Sequence, residues 1–141
     1  MSLLEELILN EGYRKDPYLD QTSNWTGGYG HKILPLEWNE FDSTWSDKVK
    51  KEYWTKKLVK DLSNATFDIS YLTSHWKYQP NETQIEVLIE LDFNLGLKGL
   101  IGFKKFLSAF SSGDIKTAAK ELIDSKSVSY THLTLPTNRE V

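Results

Sequence analysis

Eight residues separate Glu11 from Asp20 and five separate Asp20 from Thr26, and Gly27, Gly28, Tyr29, Gly30 and His31 follow directly. Two carboxylates, a hydroxyl and a glycine-rich turn in one short stretch suit glycoside hydrolysis. In that reaction one carboxylic acid protonates the leaving oxygen, and the other carboxylate stabilises charge or activates water. The three groups can converge on one bond if the first carboxyl ends a helix, the second lies on an adjoining strand and the hydroxyl sits across a hairpin.

The surrounding residues predict those elements. Ser2-Leu3-Leu4-Glu5 reads as a capping box that opens an apolar run at Leu3, Leu4, Leu7 and Ile8 with helical spacing, giving a helix from about residue 3 to 11. Gly12 is expected to end it in the left-handed conformation. Glu11 then lies on the last turn, where the helix dipole disfavours a carboxylate and raises its pKa, as a general acid requires. From Pro17 to Ile33 the helical period is lost, and Tyr18, Trp25, Thr26 and Tyr29 among Asp, Asn and Gly predict a hairpin or small sheet.

The segment Glu11 to His31 resembles the active-site region of the phage-type lysozymes and endolysins of glycoside hydrolase family 24. Their pattern is a glutamate, eight residues, an aspartate, five residues and a threonine, followed by a G-x-G-H turn. Phe93-Asn94-Leu95-Gly96, Gly102-Phe103 and the run Gly113-Asp114, Ala118-Ala119, Leu122 extend the resemblance in order over most of residues 1–126. The resemblance implies a lysozyme-like α+β fold, mainly helical. A small N-terminal hairpin lobe (13–44) would be joined by a long helix (45–73) to a helical lobe (81–126), all within one domain.

By the same resemblance, Glu11 is the general acid, Asp20 the carboxylate that stabilises an oxocarbenium-like state or assists water, and Thr26 the hydroxyl that positions the water. Sugar-contacting positions fall on Lys32, Phe93, Asn94 and Phe106. The implied substrate is peptidoglycan, cut between N-acetylmuramic acid and N-acetylglucosamine by a monomer without metal or cofactor. Inversion at the anomeric carbon is implied too, which goes with carboxyl groups roughly 6.5 to 9.5 Å apart. Two positions depart from the family pattern. Gly27 follows the threonine where isoleucine is usual, and Ser23 replaces a glycine, with Asn24 expected to supply the positive backbone angle instead. His31 is expected to anchor the hairpin by hydrogen bonds.

The remainder reads as helical. Trp54, Leu58, Leu62, Ala65, Ile69 and Leu72 recur at fours and threes on one face of a long helix that starts near Thr44 to Asp47. Asn81 and Gln84 cap a second helix that is apolar on nearly every side and is expected at the centre of a bundle, ending at Gly96. Glu86, Glu90 and Asp92 within it read as a partly exposed edge. Two shorter helices are expected near residues 100–111 and 114–125. Ser127 to Asn138 resembles the translation of a transposon adapter used for sequencing libraries, so 127–141 is expected to be a non-native tail.

Composition limits the alternatives. With 39% hydrophobic and 26% charged residues the chain is globular, and with no cysteine it has neither a disulfide framework nor a thiol nucleophile. A net charge of −3 weighs against binding nucleic acid, and the partner expected is peptidoglycan. The cluster Lys48, Lys50, Lys51, Lys56, Lys57 and Lys60 reads as a solvated helix face, with contact to wall anions as the sharper alternative. No stretch is long enough to span a membrane, and no signal peptide is expected. The expected location is therefore the host bacterial cytoplasm, before release to the wall by a separate export route. Two other readings stay open: a non-catalytic glycan-binding relative of lysozyme, and a helical interaction domain whose hairpin is merely polar.

Overall fold

The structure is a computed structural model that describes residues 2–124; the expectation for 127–141 lies outside them. The chain forms two compact units, one reaching Leu62 and the other starting at Ser63.

In the N-terminal unit, helix α1 (Leu3–Asn10) opens with the capping box anticipated from sequence. The Glu5 amide donates to Ser2 Oγ at 3.2 Å and the Ser2 amide to Glu5 Oε1 at 3.2 Å. Its end differs from expectation. Glu11 leaves the helix in an extended conformation (φ −84°, ψ 131°), and Gly12 is not among the residues of positive φ. A left-handed glycine would turn the chain back across the helix end, whereas here it runs straight on into strand β1.

Strands β1 (Arg14–Leu19), β2 (Trp25–Gly28) and β3 (His31–Lys32) form an antiparallel sheet in that order. The register sets Tyr18 against Thr26, Leu19 against Trp25, and Thr26 in turn against Lys32. An irregularity between Arg14 and Tyr18 falls around Pro17, which has no amide hydrogen to give the ladder. Gly28 and Gly30 take positive φ in the turn between β2 and β3. Helix α2 (Asp47–Thr73) brings Trp54 against β2, with the indole 1% exposed and its Nε1–H donating to the Lys15 carbonyl at 2.8 Å. A Cβ added at Gly27 or Gly28 would overlap that indole, so the glycine after Thr26 makes room for Trp54.

The expected face of α2 is observed: Trp54, Leu58, Ala65 and Ile69 are buried, and Leu62 and Leu72 half-buried. In the C-terminal unit, α3 (Glu82–Ile101) starts with the Asn81–Gln84 capping box. Gly96 ends the first helical stretch as expected, at φ 77°, ψ 158°, and a second stretch then runs on to Ile101. Helices α4 (Lys104–Ser111) and α5 (Ile115–Asp124) follow. Val87, Leu88, Leu91, Leu100, Phe110, Ala118 and Leu122 are buried among the apolar residues of this unit. Glu90 and Asp92 are buried as well, at 5% and 4% exposure, rather than forming a partly exposed edge. An acid at such a position sits on the inner side of a helix that is apolar nearly all round.

Candidate active site

The end of β1 and the start of β2 position two of the three expected groups. Asp20 closes β1 with a local turn: its Oδ1 accepts from the Thr22 amide (2.8 Å), the Thr22 hydroxyl (2.8 Å) and the Asn24 amide (2.9 Å). These bonds, the Asn24 amide first and the Thr22 hydroxyl next, hold the Asp20 carboxyl below the ordinary range, with the charge of Lys32 adding to the effect. Asp20 is therefore a carboxylate at neutral pH. The turn carries its positive backbone angle at Ser23 (φ 64°) and not at Asn24. Asn24 is already committed, since its amide bonds Asp20 and its carbonyl accepts from the Asp20 amide at 2.9 Å.

Asp20 Oδ2 is left facing Thr26, whose hydroxyl donates to it at 3.4 Å and to the Asn24 carbonyl at 3.1 Å. The first distance is long for a hydroxyl bond, so this pair is an alignment more than a lock. Thr26 is 4% exposed. Glu11 is placed by the end of α1, where its amide donates to the Leu7 carbonyl at 2.8 Å, and its side chain is half-exposed in the same unit. Lys32, exposed on β3, pairs with Thr26 in the register.

The other expected sugar contacts lie in the C-terminal unit. Phe93 and Asn94 are half-buried on α3, and Asn94 Nδ2 donates to the Glu90 carbonyl at 2.9 Å. Phe106 is 4% exposed and packs edge-on against Phe110 at 5.5 Å between ring centroids, which places it in the core.

His31 anchors the hairpin lobe. Its Nδ1 meets Asp61 Oδ2 at 2.6 Å and its Nε2 meets Glu37 Oε1 at 2.9 Å. Burial disfavours its charged form, but the hydrogen bonds to Asp61 and Glu37 more than offset this and raise its pKa. Glu37 sits buried in the 3-10 turn Pro35–Glu37, and its burial works against ionisation. Lys57, the Leu34 amide and His31 nevertheless hold its carboxyl at about 2. Lys57 also bonds Glu40 at 2.9 Å. Sequence reasoning did not find Glu37 or Asp61, because a turn acid and a helix acid far along the chain carry no local mark of a shared partner.

Among the described residues no cluster of acidic, histidine or cysteine side chains has the makings of a metal site. None of their helices is long and apolar enough to cross a membrane.

A helical protein with a small antiparallel sheet, carrying an ionised aspartate aligned with a buried threonine next to a glycine turn, has the build of a lysozyme-like glycosidase. The chain matches the phage lysozyme family over residues 9–132 and belongs to that family. Membership brings the general role of a peptidoglycan hydrolase. No curated protein matched the chain.

Proposed function

We propose that the chain is a muramidase that cleaves the β-1,4 bond between N-acetylmuramic acid and N-acetylglucosamine in bacterial cell lysis. The observation that carries this reading is the division of labour at Asp20. One oxygen is tied into the turn and keeps the group ionised, while the other is aligned with the Thr26 hydroxyl. A water held there gives one proton to Asp20 Oδ2 and hydrogen-bonds a lone pair of the Thr26 oxygen with the other. Its own oxygen is then aimed at the anomeric carbon from the face opposite the leaving group.

Protonated Glu11 donates to the glycosidic oxygen as that bond breaks, and the product is inverted. Lys32, Phe93 and Asn94 are the sugar contacts, and Phe106 supports the core. The enzyme works as a monomer on peptidoglycan without a cofactor. It reaches the wall from the host cytoplasm by a separate export route.

The test is clearing of purified peptidoglycan by the chain and by its Glu11→Gln variant, with circular dichroism on both. Clearing by the parent alone, with matching spectra, is the expected result. Equal clearing by the variant overturns the mechanism, and a folded parent that binds the wall without clearing it overturns the enzymatic reading.

A further inference from the structure

Asp92 on α3 is a buried acid of the C-terminal unit that the proposed mechanism leaves unused and whose neighbour is a second acid. It is 4% exposed, and among the described residues its Oδ2 has no hydrogen-bond partner. Its side-chain neighbour is Asp68 of α2, to which it is hydrogen-bonded. Two carboxylates cannot hydrogen-bond each other, so a proton must lie between these groups, and burial adds to the cost of removing it. Among the described residues, Asp68 is the charged group that acts on Asp92.

The place of the pair gives it a consequence. Phe93 and Asn94 come next in the chain, and Gly96 breaks α3 one turn beyond Asp92. The Asn94 amide on the Glu90 carbonyl lies within α3 itself, whereas the carboxyl pair reaches across to α2.

We propose that the proton shared by Asp68 and Asp92 fastens the end of α3 to α2, and that losing it loosens the segment carrying Phe93 and Asn94. Asp92 is then a positioning residue, and the part of this inference that concerns sugar contact rests on the muramidase reading. Burial first, and then the hydrogen bond and charge of Asp68, push the Asp92 carboxyl up to about 7. A carboxyl raised in the folded state binds its proton more tightly there than in the unfolded chain. Its burden on stability is therefore absent below the ordinary carboxylate range, grows as pH rises, and is complete above about 7.

Carboxyl-carbon NMR of the whole chain, labelled at aspartate and titrated from about pH 4 to about pH 9, reads the pair directly. One signal, missing from the Asp92→Asn spectrum, should titrate near neutrality, and it should move down in Asp68→Asn. If every aspartate titrates close to its ordinary value of about 3.9, the proposal is overturned.

Amide hydrogen exchange over residues 88–97 gives the second reading. At about pH 8.5 the parent should exchange faster than Asp92→Asn by at least about tenfold, the worth of one pKa unit, and at about pH 3.5, below the ordinary carboxylate range, the two should converge. Equal exchange at the higher pH overturns the loosening. Neither reading depends on turnover, so both stand apart from the fate of the muramidase reading. In an active parent, KM for the wall should rise with pH where the Asp92→Asn variant's does not. A KM that moves equally in both overturns the positioning role.

Discussion

At the scale of single residues, the proposed chemistry depends on how completely Asp20 is satisfied by its own turn. Three donors on one oxygen keep it charged, and they depend on the chain folding tightly between Asp20 and Asn24. Ser23 bears the cost of that tightness at φ 64°. A left-handed conformation costs a residue with a Cβ about 1 to 2 kcal/mol, and glycine gives back roughly 0.5 to 1 in unfolded-chain entropy. Ser23→Gly should therefore stabilise the protein by about 0.5 to 1 kcal/mol, seen as a raised midpoint in urea with unchanged slope. An unchanged or lowered midpoint would mean that the serine side chain contributes something the turn geometry does not reveal.

At the scale of elements, the sheet is bound to α2 through His31, which lies between Asp61 of the helix and Glu37 of the 3-10 turn. Its raised pKa means that the folded state keeps the proton longer than the unfolded chain does. The stabilisation is then complete below roughly 6.5 and is lost as pH climbs through the folded value. Glu37, held at about 2, acts in the opposite direction: its contribution is complete above its ordinary 4.5 and is lost as pH falls toward 2. The stability gap between the parent and His31→Asn should accordingly be wide near about pH 5.5 and narrow at pH values well above neutral. Thermal melts of the two across that range check it, and a gap that does not change with pH removes the ion pairs from the account.

The same elements show what a sequence discloses. The capping residues Ser2, Glu5, Asn81 and Gln84 act within one turn of themselves, so the helix starts were legible. So was the small sheet whose turn carries Asp20 and Thr26, because strand and turn signals are local. Gly96 takes the left-handed stop and Gly12 does not, because a glycine permits such a stop without enforcing one. His31 and Asp61 lie thirty residues apart, and the link between Asp92 and Asp68 likewise crosses from one helix to another. Pairings of that kind are made by packing, which leaves no trace in a window of neighbouring residues.

At the scale of the whole molecule, charge opposes the substrate. The chain carries a net charge of −3, and peptidoglycan with its attached polymers is anionic, so approach is slowed by repulsion instead of assisted. Raising ionic strength from about 0.01 M to about 0.15 M shortens the screening length from about 30 Å to about 8 Å. KM for intact wall should fall over that interval, while turnover of short neutral glycan fragments stays level. A KM that rises with salt would show that a cationic face, such as the lysines of α2, governs the encounter despite the overall sign.

The overlap between Gly27 and Trp54 reaches beyond this molecule. The indole fills the volume that a side chain after the threonine would need, so the two positions are not free to vary apart. In this fold an isoleucine after the threonine needs a smaller residue at position 54, and a tryptophan at 54 needs glycine at 27. Gly27→Ile alone should be severely destabilising, whereas joined to Trp54→Ala it should cost less than the two single changes summed, the non-additivity measuring the shared space. Gly27 and Trp54 are then two halves of one fit, and neither can be judged by its own position in the chain.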